Sequence, residues 1–223
     1  MTKEQGIAVQ LNEAVQLGLE AQTLDGFVKA NQIAIAMDKL SELMTPEYMK
    51  PIMKLQGSKL GFRTDKDKSN GYDEPTVKAC LIEAVLTGLQ PVNNHFNIIA
   101  GNMYPTKEGF GELLKNFSAK NKFQYKIIPA LPRINADKTS AAIVMKIFYS
   151  LNGVENTEEL EIPVKMNSMM GTDAVIGKAT RKARAWLYNT ITGSEIADAD
   201  VEEVEAEIIQ EKEENRKENE KLF

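Results

Sequence analysis

A chain of 223 residues with 43% hydrophobic and 26% charged residues can bury a sizeable core and is too apolar for wholesale disorder. One cysteine, Cys80, and one histidine, His95, exclude an internal disulfide framework and any multi-cysteine or multi-histidine metal site, and give a Ser-His-acid triad little to build on. No run approaches the roughly 18 apolar residues of a membrane span, and the opening MTKEQGIAVQ has no signal-peptide core. The expectation is a reduced, cytoplasmic protein with little catalytic hardware and no membrane contact.

In chain order, the first hundred residues read as helical. Ile7, Val9, Leu11, Ala14, Val15 and Leu17 recur at loose helical spacing, and so do Phe27, Val28, Ile33, Ile35, Met37 and Leu40, up to the break at Thr45 and Pro46. A third run passes through Met49, Ile52, Met53 and Leu55. The polar stretch GSKLGFRTDKDKSNGYDEP at 57–75 predicts a mobile loop. Asp73 or Glu74 can cap the next helix, Pro75 suits its first turn, and Gly88 with Pro91 closes it. Its buried side holds Val77, Cys80, Leu81, Ala84 and Val85, which makes Cys80 a core residue and not a nucleophile. HFNIIAGNMY at 95–104 predicts a hairpin turning near Ala100, Gly101 and Asn102, with His95 a strand-end polar residue. A helix follows over 107–119.

The period then changes. KFQYKII alternates Phe123, Tyr125 and Ile127 against Lys122, Gln124 and Lys126; AAIVMKIFYSL runs to Asn152 and Gly153; LEIPV alternates Leu160, Ile162 and Val164 with glutamates. Three antiparallel strands are expected, with Phe123, Tyr125 and Ile127 as the core-facing row, and then a long helix over 173–190 closed by Gly193. The predicted fold class is α+β: a three-stranded antiparallel meander followed by a long helix, with a helical N-terminal region and an additional short hairpin. The expected divisions are a helical region at 1–60, a core at 61–194 and an acidic tail, helical or mobile, at 195–223.

Charge is segregated along this order. Residues 195–223 hold twelve acidic and four basic side chains, whereas 107–194 hold thirteen basic and eight acidic. A basic body is what a polyanion-binding surface needs, and an acidic tail can compete for that surface or recruit a partner. At about 100° per residue, Val175, Ile176, Ala179, Ala183, Trp186, Leu187 and Thr190 share one side of the last helix, and Lys178, Arg181, Lys182, Arg184 and Tyr188 fall opposite. KATRKAR at 178–184 has four positive charges and no negative one, the footprint of phosphate binding on a helix face. Lys120, Lys122, Lys126, Arg133, Lys138 and Lys146 lie on or beside the first two strands, with Lys122 and Lys126 on one face. Together with Tyr188, these lysines and arginines are the candidate DNA contacts.

Two motifs are near misses. GTDAVIGKAT at 171–180 has five residues between its glycines and Ala179 after the lysine, so it is not a phosphate-binding P-loop, which argues against an ATPase. DKDKSNGYDEPT at 65–76 begins like a calcium loop, but Asn70 and Thr76 stand where glycine and glutamate are needed. Asp65, Asp67, Asp73 and Glu74 remain as a possible divalent-ion cluster of a nuclease.

The order of parts, with LIEAVLTGLQP at 81–91, EGFGELLKNF at 108–117 and GTDAVIGKATRKARAWL at 171–187, resembles the phage RecT/Redβ-like single-strand annealing proteins over about residues 75–192. The resemblance implies a strand–strand–strand–helix core and an ATP-independent recombinase that coats single-stranded DNA and pairs it with a complement, without bond-making catalysis. It implies rings or helical filaments with DNA in a continuous basic groove, and Lys178, Arg181 and Lys182 as positions of the family's cationic helix. It further implies no required cofactor, with magnesium left open, and a location in a bacterial host cytoplasm. The tail would contact a host single-strand-binding protein or a phage exonuclease. A passive single-stranded DNA-binding protein, a metal-dependent nuclease using the 65–74 cluster and a pure scaffold are the alternatives.

Overall fold

The computed structural model describes residues 3–167 and 170–197. The chain is α+β, with six helices and two sheets, of three and four strands, among the described residues. None of these helices is long and apolar enough to cross a membrane. The chain forms two compact units, Met1–Met103 and Tyr104–Phe223. The division therefore falls inside the segment 61–194 that the sequence pattern suggests is one core. The tail expected from residue 195 lies, beyond Ala197, outside the described residues.

In the first unit, α1 (Lys3–Ala21) and α2 (Gly26–Leu43) form an antiparallel pair, and α3 (Pro46–Ile52) follows with a 3-10 turn over Met53–Leu55. Thr45 caps α3 by accepting from Tyr48 N, and Pro46 opens its first turn, where a missing N–H costs nothing. Strand β1 (Arg63–Thr64) runs parallel to β2 (Phe96–Ile99), with α4 (Glu74–Thr87) between them in sequence. Asp73 caps α4 by accepting from Thr76 N at 3.1 Å, and Gly88 ends it at φ 99°, a left-handed position that suits glycine. Gly18 is where α1 comes close to its neighbours: a Cβ there would meet Leu86 Cδ2 at 2.3 Å and Ala36 Cβ at 3.3 Å.

The expectation of a mobile loop at 57–75 is corrected. Gln56 brackets Tyr72 from both sides, accepting from Tyr72 N at 2.7 Å and donating to Tyr72 O at 3.2 Å. Leu60 and Gly61 carbonyls accept from Asn93 N and Asn94 N, and Asp65 N donates to Ile98 O. The stretch lacks periodicity because side-chain and long-range backbone bonds, not a local ladder, satisfy its polar groups. The hairpin expected at 95–104 forms: β2 joins β3 (Asn102–Pro105) through Ala100 at φ 51° and Gly101 at φ 80°, two positive values as a two-residue turn requires. His95 is buried, its Nδ1 accepting from Gln90 N at 3.3 Å.

The second unit begins with α5 (Lys107–Lys120), capped by Thr106, whose hydroxyl accepts from Gly109 N. Four strands follow in place of the three expected: β4 (Phe123–Pro129), β5 (Arg133–Ile134), β6 (Ser140–Leu151) and β7 (Val154–Lys165). Strands β4 and β5 share one edge of β6, and β7 pairs along the other, all antiparallel. The expected first strand forms as β4, and the additional strand β5 lies in the connection after it, set apart by Pro129 and Pro132, which have no N–H to give the ladder. Strand β7 begins six residues before LEIPV, pairing Val154 with Leu151 across a turn in which Asn152 and Gly153 take φ 53° and 84°. The stretch Val154–Glu159 is largely exposed on both faces, so no apolar alternation marks it in the sequence.

Helix α6 (Thr172–Thr192) packs on the sheet. Val175, Ala179, Ala183 and Leu187 meet Ile143, Met145, Ile147, Ile162 and Val164 in one buried cluster, with Leu114 and Phe123 at its margin. Phe123, Tyr125 and Ile127 face this core as expected; Phe123 stacks on Tyr125 at 5.7 Å and meets Phe117 edge-on at 5.2 Å.

Candidate nucleic-acid interface

The cationic flank expected on α6 is corrected by burial. Lys178 is 6% exposed and Arg181 2% exposed, and with Ala185 they form a second buried stripe away from the sheet. Arg181 is among the largest fully buried side chains of the protein and is engaged by a neighbour. Arg184 Nη1 donates to the Lys107 carbonyl at 2.7 Å, tying α6 to the start of α5. Gly111 leaves room for this contact, since a Cβ there would lie 2.9 Å from Arg184 Nη1. Tyr188 is half-buried, its ring 6.4 Å from Phe110, and burial pushes its phenol pKa up. Lys182 reaches the Pro163 carbonyl at 3.4 Å. Wheel arithmetic assumes one buried side and one wet side; α6 is buried on two, so its long cationic stems serve packing. Trp186 packs partly buried against the core cluster.

The strand cations divide differently. On the outer face of the sheet, opposite α6, period-two alternation places Gln124, Lys126 and Ile128 along β4, Val144, Lys146, Phe148 and Ser150 along β6, and Glu155, Thr157, Glu159 and Glu161 along β7. Lys122 stands just before the start of β4, its carbonyl accepting from Asn152 N. Lys146 stands across from Glu159 and pairs with it at 2.7 Å, and Arg133 pairs with Glu161. Such exposed pairs stabilise by only about 0–1 kcal/mol, but they occupy two of the expected contacts. Lys122 and Lys126 are exposed and have no carboxylate partner among the described residues. Lys126 lies directly across from Phe148, which is 38% exposed. Lys120, in the last turn of α5, and Lys138, in the turn before β6, are exposed as well. That turn is held by Asp137, whose carboxyl sits below the usual range because the Thr139 hydroxyl and N–H both donate to it.

Of the expected contacts, then, Lys122 and Lys126 share one open row, Lys120 and Lys138 lie beyond its two ends, Lys146 and Arg133 are paired, and the α6 set is largely internal. Phe148 is not among the contacts expected from sequence. The signal that could have found it is the same alternation that put Lys146 outward, since residues 146 and 148 must share a face.

The acidic loop of the first unit is committed to its own structure. Asp65 accepts from the Tyr72 hydroxyl at 2.8 Å and from Ala100 N at 3.0 Å; Asp67 accepts from Thr64 N and its hydroxyl and pairs with Arg63 at 3.7 Å. Asp73 caps α4, which holds its carboxyl below the usual range. Burial and the Asp65 bond push the Tyr72 phenol up to about 12. Among the described residues no three His, Cys, Asp or Glu side chains gather as a metal site. Cys80 is buried, its thiol raised to about 11 by desolvation, well away from the reactive range. The glycine pair at 171 and 177 forms no loop: Gly171 precedes α6 and Gly177 lies within it.

No known family, characterised protein or solved structure matches the chain. Its chemistry rests on the geometry alone.

Proposed function

We propose that this protein binds single-stranded DNA on the outer face of β4 and β6 and pairs complementary strands without a nucleotide cofactor. The observation that carries the reading is the open row Lys122–Lys126 with Phe148 across from Lys126, exposed and without a carboxylate partner among the described residues. Lysines neutralise phosphates without regard to sequence. An exposed aromatic ring offers a stacking platform worth about 1–3 kcal/mol per base. On this reading β4, β6, β7 and α6 act as the strand–strand–strand–helix core of an annealing protein of RecT/Redβ type. A row with so few unpartnered cations binds a long strand only when repeated, so self-association into rings or filaments belongs to the same proposal. Contact with a host single-strand-binding protein or an exonuclease belongs to it too, as does action in a bacterial cytoplasm.

No fuel is needed for such a reaction. Complementary strands gain about 1.4 kcal/mol per stacked step on pairing, and the obstacle is the mutual repulsion of two backbones during the search for register. A surface that screens phosphates while leaving base edges accessible lowers it. The test is duplex formation between two fluorescently paired complementary oligonucleotides, without ATP. The expected result is acceleration by the protein, reduced in Phe148→Ala. Protection of the strands without acceleration would make the protein a passive binder, and magnesium-dependent degradation would make it a nuclease.

A further inference from the structure

The 26 residues after Ala197 carry eleven carboxylates against four basic groups, and the second unit presents an open face whose Lys122 and Lys126 have no carboxylate partner among the described residues. We propose that the acidic segment 198–223 docks on the outer face of β4 and β6 of its own chain and there competes with polyanions. The competition rests on the reading of that face as a single-strand site; the docking does not.

The two surfaces match in more than charge. Val201, Val204, Ile208, Ile209, Leu222 and Phe223 are interspersed with the carboxylates of the segment. On the outer face Ile128 and Phe148, both 38% exposed, accompany Lys126, and Leu131, 86% exposed, lies in the connection that follows β4. An apolar and cationic face suits an apolar and anionic segment, and neither half alone would select it. Along β7, Glu159 and Glu161 already engage Lys146 and Arg133, so those two cations are taken and the β4 side offers the lysines for an acidic segment.

The way the chain leaves α6 favours docking within the same unit. Gly193 takes φ 68° and ends the helix, and the Asn189 side chain then clasps Ile196, donating to its carbonyl at 3.1 Å and accepting from its N–H at 3.3 Å. Residues 194–196 therefore lie beside the last turns of α6, and the segment reaches the outer face by rounding the sheet. Twenty-six residues reach at most about 85–95 Å when extended, far more than a compact unit of about 100 residues demands. Tethering gives the segment a high effective concentration, so even a weak attraction fills the face.

The full chain provides the test. A spin label on Asn215→Cys is read by paramagnetic broadening of backbone amides at low salt; buried Cys80 stays unlabelled. The expected result is broadening around Lys122, Lys126 and Phe148 that disappears at high salt and in Lys122→Glu/Lys126→Glu. Broadening absent from β4 and β6 overturns the docking. So does equal broadening when the spin label and the observed amides are placed on different copies in a mixed sample, which assigns the face to a second chain. The competition is read by anisotropy with an oligothymidine strand: Glu211→Gln/Glu213→Gln/Glu214→Gln is expected to bind several-fold more tightly than the parent chain at low salt. Equal affinities overturn the competition. If neither chain retains the strand while the broadening persists, the docking holds and the DNA reading fails; strand binding without broadening gives the converse.

Discussion

Arg181 and Lys126 show how little residue type alone says about role. Both are cations in a basic stretch, yet one is sealed in a helix packing surface and the other faces solvent. Arg181→Ala is therefore expected to cost about 3 kcal/mol or more of stability, because a large engaged charged group leaves a buried site. Lys126→Ala is expected to stay within about 0.5 kcal/mol; denaturant midpoints of the two variants check the contrast. Asp73 makes a pH-dependent contribution of definite sign. Its folded pKa is depressed by the bonds from Thr76, so the cap stabilises above the ordinary aspartate range and is lost as pH falls through the folded value. Asp73→Asn keeps the capping oxygen and should flatten that part of the acid-unfolding profile. The sequence supports the cap directly, since Asp73 precedes Pro75 and an apolar run. It is silent on Arg181, because burial on a second side of a helix depends on partners distant in the chain.

At the level of elements, most helices and strands were legible, and the exceptions share a cause. Helix α4 and the hairpin β2–β3 carry local punctuation, and the inward row of β4 carries a period of two; each was expected and each forms. The long early half of β7 and the segment 56–73 carry neither signal, because one is exposed on both faces and the other is held by bonds across many residues. Two glycines, one in the segment 56–73 and one in α6, give contrasting tests. A Cβ at Gly61 would sit 2.1 Å from the Leu55 carbonyl oxygen, a backbone atom that cannot swing aside. Gly61→Ala is thus expected to destabilise by about 2 kcal/mol or more. Gly177, inside α6 with nothing within 4 Å of where a Cβ would lie, is the opposite case: Gly177→Ala should stabilise by about 0.5–1 kcal/mol through helix propensity. Thermal melts of both variants check the pair of signs. A loss of stability in Gly177→Ala would mean that the start of α6 is not the continuous helix described.

Over the whole molecule, charge is the organising quantity. The sequence shows that the stretch 107–194 is basic and the end acidic, and that much carries through; which cations remain available does not, because ion pairing is a property of strand register. Lys146 and Glu159 are thirteen residues apart and meet only because β6 and β7 pair as they do. The candidate site accordingly moves from α6 to the outer sheet face, and the most direct test of that move is the salt dependence of single-strand affinity. For single strands each phosphate contact contributes about 0.7 to the slope of log affinity against log salt. In Lys122→Gln/Lys126→Gln the slope should shallow by about 1.4, with the unfolding midpoint unchanged. A slope equal to that of the parent chain would contradict the assignment of the face.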